Sequence, residues 1–156
     1  MKLNKIFFQI FTVAFLSTYL FAMKPPTPNT DKSEKLGVKT VNTTQAKKLY
    51  DGGAIFADAR KPVEVSMLRI KGAIRSYYSE KGGNKQRRID WDDSRDKFYS
   101  QTLPKDKNAK IVFYCNGIHC WKSYKATKKA MELGYKNSYW YREGLPFWKK
   151  AKYPTE

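Results

Sequence analysis

Cysteine and histidine are nearly absent from this chain of 156 residues: Cys115 and Cys120 are the two cysteines and His119 is the one histidine. Three potential metal ligands crowded into six residues, with no fourth in sight, offer no complete donor set, so no metal is expected. Acidic residues are also scarce. There are 14 against 31 lysines and arginines, giving a net charge of +17, and none occurs before Asp31. No internal repeat is visible, which excludes a solenoid. What is present is ample apolar material: 41% hydrophobic and 15% aromatic residues can build a real core, and a disordered chain is thereby excluded.

Lys2 and Lys5 precede an apolar run over residues 6–22 that only Gln9, Thr12, Ser17 and Thr18 interrupt. A basic start, an apolar middle and the small residue Ala22 have the form of a secretory signal, with Leu20-Phe21-Ala22 as an imperfect cleavage site. A run of about 17 residues is also close to the lower limit for a bilayer span, so two readings stay open, a cleaved signal over 1–22 or a retained anchor. Both export the folded part, to the periplasm or an equivalent space. With no cysteine after the apolar run, a lipoprotein anchor is excluded. Export sets nucleic acid aside as a partner, and contact with a membrane is expected only through a retained anchor. The surplus of lysine favours anionic partners, but the lysines are scattered along the chain and read first as a solvated basic surface. Pro25, Pro26 and Pro28 mark residues 23–37 as an extended tether, and the domain is expected over 38–156.

The most informative stretch runs from Ile111 to Ser123. Ile111-Val112-Phe113-Tyr114 is a short apolar run with the character of a buried strand. It stops at Cys115, turns through Asn116-Gly117-Ile118-His119, and hands over to a helix whose predicted N-cap is Ser123. A cysteine at such a hinge sits among backbone N–H groups beside the positive end of a helix, and both stabilise thiolate over thiol.

The remaining chain alternates strands and helices. Residues 43–50 suit a short capped helix, stopped by Asp51-Gly52-Gly53. Ala54-Ile55-Phe56-Ala57 reads as a buried strand that delivers Asp58 and Arg60 at its carboxyl end, where open parallel sheets bind ligands. A short helix starts at Pro62, and 70–74 enters another strand. Residues 79–110 are the least regular: Gly82-Gly83-Asn84 and the basic 85–88 form a loop, while Trp91, Phe98, Tyr99 and Leu103 predict a helix packed on the body. The helix after Ser123 ends at Gly134, Tyr139-Trp140-Tyr141 is the last strand, and 145–151 is a closing helix. This alternation predicts an α/β fold with a mainly parallel sheet covered by helices on both faces.

These residues, in this order, resemble a single rhodanese (sulfurtransferase) domain. The resemblance rests on Asp58-Ala59-Arg60, Glu64, Ile70-Lys71-Gly72-Ala73-Ile74, the strand–Cys115–loop–Ser123–helix unit, Gly134-Tyr135, and Trp140 through Gly144 to Trp148 and Tyr153-Pro154. It covers about residues 38–156 and implies a central five-stranded sheet. Cys120-Trp121 is further similar to an exported subgroup with a second cysteine before a tryptophan. The chemistry so implied is a Cys115 persulfide, drawn from thiosulfate or another sulfane donor and passed to a thiol or protein acceptor, without a cofactor. Asn116, Gly117, Ile118, His119, Cys120 and Trp121 would hold the sulfur charge with their backbone N–H groups, Lys122 would attract an anionic donor, and Asp58 and Arg60 would orient the loop or pair across the pocket. A monomer is expected. The loop departs from common single-domain rhodaneses in being two residues longer and in carrying Lys122 where they have arginine before the serine. Lysine lacks the bidentate fork of arginine, which makes thiosulfate a poor substrate and sets phosphatase chemistry aside. Cys120 leaves three readings open: a resolving thiol for the Cys115 persulfide, a thiol–disulfide exchange pair, or a permanent Cys115–Cys120 disulfide in a non-catalytic module that binds an anionic ligand or acidic partner.

Overall fold

The computed structural model describes residues 28, 30–81 and 93–156. The apolar N-terminal run, the basic loop of 85–88 and Trp91 lie outside the described residues. In chain order the elements are α1 (Thr30–Lys35), β1 (Lys39–Val41), α2 (Thr43–Asp51), β2 (Ile55–Asp58), α3 (Pro62–Met67) and β3 (Ile74–Arg75). There follow β4 (Tyr78–Ser79), β5 (Lys97–Phe98), β6 (Ile111–Tyr114), α4 (Trp121–Glu132), β7 (Ser138–Tyr141) and α5 (Gly144–Lys150).

Five strands form one sheet in the order β1-β7-β6-β2-β3, and every neighbouring pair is parallel. The α/β architecture is therefore the expected one. A strand buried on both faces is an unbroken apolar run, and β6 at the centre of the sheet has all four residues inaccessible to solvent. Its side chains alternate. Ile111 and Phe113 pack with Ala126 and Ala130 of α4, whereas Val112 and Tyr114 pack on the other face with Ala46 of α2 and Leu145 and Trp148 of α5. Each such side chain fully removed from water contributes about 1.5–3 kcal/mol. Because β2, β6 and β7 end in register, at Asp58, Tyr114 and Tyr141, the next residue of β6, Cys115, emerges at the carboxyl edge of the sheet.

The capped helix predicted after β1 is α2. Asn42 Oδ1 accepts from the Gln45 amide at 2.9 Å, and Gln45 Oε1 accepts from the Asn42 amide at 2.9 Å. Replacing Asn42 with alanine removes the side-chain acceptor of this box while the backbone amide at 42 keeps its bond to Gln45, and we expect a loss of about 1 kcal/mol, read as a lower midpoint in urea unfolding with an unchanged slope.

Three segments differ from expectation. The region read as an extended tether contains α1, whose Ser33 is buried and to whose carbonyls the following Leu36 and Val38 amides bond back. The helix predicted around Phe98 is instead the antiparallel pair β4–β5, in which Tyr78 faces Phe98. Phe98 is drawn to Phe113 and Tyr78 by tertiary packing, and short apolar runs do not specify helix against strand. Finally, Ile70 precedes β3 without joining it and bridges to Thr155, clasping the C-terminus to the sheet edge.

Candidate functional site

Cys115 leaves β6 and is 1% exposed. The chain then turns so that the Cys120 amide donates to the Gly117 carbonyl at 2.9 Å, and α4 begins at Trp121 with Cys120 as its N-cap residue. The N-cap thus lies at Cys120, three residues before the predicted Ser123. Trp121 is buried with Val38, Tyr124 and Trp140, and the Ser123 hydroxyl accepts from Trp140 Nε1 at 3.1 Å, so packing against β7 winds this turn into the helix. Cys115 and Cys120 are joined as a disulfide, with Cα atoms 6.1 Å apart. The Cys120 amide closes the loop's own turn, which removes it from the ring of N–H groups expected to face the sulfur.

The loop is braced from beneath by α5. Leu145 donates its amide to the Cys115 carbonyl at 3.0 Å. Gly144 has φ +62, and a Cβ there would collide with the Cys115 carbonyl and stand 2.9 Å from the Gly117 amide nitrogen. Gly117, with φ +106, lies against Pro146 and the Glu143 carbonyl. Only glycine allows so close an approach at positive φ.

Above the disulfide is a cleft of about 300 Å³ lined by Cys115, Asn116, His119, Cys120, Trp121 and Lys122, together with Glu64 and Glu80. Asn116 and His119 are exposed and Cys120 is half-buried. Gly117 and Ile118 belong to the loop but not to the cleft wall. Asp58 and Arg60 are placed elsewhere: both are buried and pair with each other, Arg60 Nη2 lying 2.7 Å from Asp58 Oδ2. A further bond from the guanidinium to the Leu68 carbonyl ties β2 to the end of α3. Burial alone would weaken the proton affinity of Arg60, but its bonds to Asp58 and that carboxylate's charge raise it above the ordinary value. The pair therefore stiffens the floor beside the site rather than crossing the cleft. Among the described residues no three His, Cys, Asp or Glu side chains converge as a metal site.

Glu64 and Glu80 carried no assigned role in the sequence. Glu64 on α3 reaches the loop from 52 residues away: its Oε1 accepts from Asn116 Nδ2 at 2.6 Å, while its Oε2 accepts from the Lys61 amide at 3.1 Å. Burial pushes this carboxyl upward, yet the Asn116 and Lys61 bonds and the charges of Arg60 and Lys122 overcome it and hold the group below its ordinary 4.5. A depressed folded value means that the stabilisation exists above pH 4.5 and is lost as pH falls through the folded value. Acidification below pH 4.5 should therefore lower the wild-type melting temperature more than that of Glu64→Gln, a difference that paired thermal melts will read. Glu80 forms an ion pair at 3.2 Å with Lys125, which is 3% exposed and also contacts Asp96 at 2.9 Å. Lys122 Nζ lies 5.3 Å from the centroid of the Tyr77 ring. A position three residues after a helix start signalled the Lys61–Glu64 cap locally; nothing local signalled the reach to Asn116.

Comparison with known proteins agrees with this geometry. A family profile for the rhodanese-like domain matches residues 42–151. Among solved structures, a protein from Bacillus halodurans is 22% identical with a TM-score of 0.56, over 81% of each chain. A protein of unknown function and possible tyrosine phosphatase from Rhodopseudomonas palustris is 21% identical with a TM-score of 0.53, covering 84% of this chain and 98% of its own. A human single-domain sulfurtransferase is 23% identical with a TM-score of 0.52, covering 73% of this chain and 97% of its own. These likenesses establish the shared fold. No curated protein matches the chain.

Proposed function

The chain belongs to the rhodanese-like family, and from that premise we propose that it is an exported sulfurtransferase carrying sulfane sulfur on Cys115. The observation that supports this reading best is the position of Cys115, at the carboxyl end of the central strand, under a cleft and against the start of a helix of 12 residues. That position favours thiolate. In the dithiol form, the Cys115 thiolate attacks the outer sulfur of a donor R–S–SH; the new S–S bond forms on Cys115 and R–S⁻ departs with the electron pair. A thiol acceptor then takes the sulfur. Alternatively, the Cys120 thiolate attacks Cys115 Sγ, closing the disulfide and releasing HS⁻, and an external dithiol must reset the pair.

Thiosulfate is the weaker donor in this proposal. Its two negative charges must enter beside Glu64, held ionised, and Glu80, with Lys122 as the facing cation and no arginine fork in the loop. A persulfide of a small thiol carries less charge and fits better. Signal-directed export of the domain, from the form of residues 1–22, belongs to the same proposal.

Intact mass tests it. Reduced Cys120→Ser, which cannot close the disulfide, should gain about 32 Da, one sulfur, on incubation with cysteine persulfide, and Cys115→Ser should not. Thiosulfate should give less of the same product, and Glu64→Gln should narrow the gap. Reduced Cys120→Ser that takes up no sulfur from either donor overturns the reading. A second reading, a thiol–disulfide exchange module, is favoured by one observation, the closed Cys115–Cys120 bond; it expects exchange with a partner dithiol and no persulfide.

A further inference from the structure

The two sulfurs of the disulfide are not equivalent toward an incoming thiol. Cys115 is 1% exposed, with its carbonyl held by Leu145 and Gly144 packed against it. Cys120 is half-buried beside exposed His119, so that although both cysteines line the cleft it is the more exposed of the two. Thiol–disulfide exchange proceeds in line, so an attacking thiolate needs space at the sulfur it strikes, and the rate depends on access and on how well the other sulfur leaves. Access favours Cys120. The leaving group would then be Cys115, whose thiolate is released next to the first turn of α4 and stays within the fold.

We propose that reduction of this protein has a fixed direction: a dithiol reductant attacks Cys120 Sγ, forms its mixed disulfide there, and frees Cys115 as the thiolate. The bond broken is Cys115–Cys120 and the bond formed is reductant–Cys120. The electron pair goes to Cys115, and the reductant's second thiolate then releases Cys120, the reductant itself ending as a disulfide. The proposal rests on reading the pair as chemically active, and it gives Cys120 a distinct task. Cys120 receives the partner, so that the nucleophile emerges uncapped and ready for a sulfane donor. The direction is opposite to that of an arrangement in which Cys115 bonds the partner and Cys120 resolves.

The test uses the oxidised wild-type domain with 2-mercaptoethanol as the probe and iodoacetamide present to alkylate each thiolate as it appears. Fragmentation of the peptide spanning both cysteines then locates the labels. The expected product carries the mercaptoethanol adduct on Cys120 and the alkyl group on Cys115, exceeding the reverse pattern by about tenfold or more, as access-controlled exchange implies. An even mixture, or the adduct mainly on Cys115, overturns the proposal. So does protein that shows two free thiols after aerobic isolation. As a second measurement, Cys115→Ser should react with 2-hydroxyethyl disulfide faster than Cys120→Ser. Sulfur uptake by the reduced protein is read separately, so failure of sulfurtransferase chemistry would leave the direction of exchange intact, and the converse holds.

Discussion

Replacing Cys115 with serine should lower sulfur transfer from a persulfide donor to a thiol acceptor by about a thousandfold or more, the scale expected when a covalent nucleophile is removed. Serine is close in size, and Cys115 is buried on a strand end whose backbone is held from α5, so the fold should survive. A melting temperature measured without reductant will fall somewhat, because the disulfide is lost along with the thiol. Cys120→Ser supplies the comparison. It loses the same cross-link, so the two variants should melt alike, yet it keeps the nucleophile and should retain transfer when a separate thiol acceptor is supplied. Equal loss of activity in both variants would assign the pair a structural task and remove the persulfide step on Cys115. Full activity in Cys115→Ser would do so outright.

The second large effect is on stability. Gly144→Ala should cost about 3 kcal/mol, combining a side chain at positive φ with a collision at the Cys115 carbonyl. In a domain of this size that corresponds to a fall of about 10 °C or more in melting temperature. Nothing soft is available to yield. The atoms met by the new Cβ are backbone atoms of Cys115 and Gly117, not the tip of a flexible side chain. Relief requires either α5 to draw back, breaking the Leu145-to-Cys115 bond at 3.0 Å, or the loop to rise into the cleft. Sulfur uptake should therefore fall with stability. Gly72→Ala is the control, since Gly72 also has positive φ, at +76, but meets nothing within 4 Å; it should lose only the conformational part, about 1 kcal/mol.

Much of this arrangement was legible in the sequence because it is encoded locally. The apolar run Ile111–Tyr114 carried its own evidence of double-sided burial, and the glycines after α2 and α4 marked where those helices stop. The cap at Asn42 and Gln45 acts within four residues. Cys115 at the end of such a run, before a helix, was recognisable as a reactive position without any partner in view. Its companions Asn116, His119, Cys120, Trp121 and Lys122 followed from simple adjacency, and the cleft collects all of them.

Where the sequence misled, long-range contacts had overridden a local preference. Ser123 has the chemistry of an N-cap, but Trp140 of β7 claims its hydroxyl, and burial of Trp121 starts the helix earlier. Lys97-Phe98 carries no strand pattern long enough to notice; it is extended because Tyr78-Ser79 pairs with it across an intervening segment. Asp58 and Arg60 stand at a ligand-binding edge by position, and their mutual bond, visible only with side chains in place, turns them inward.

What the sequence by itself determined, then, is the alternation of strands and helices, the family, and the loop that bears both cysteines, since each depends on residues within a turn or two of one another. The tertiary structure decided the character of the cleft. It brought Glu64 and Glu80 to the cleft, set Gly144 beneath Cys115, and left Cys120 the more exposed of the two cysteines. Those features depend on which segments the parallel sheet brings together, through crossovers dozens of residues long, and burial and charge at one point in space are sums over all of them.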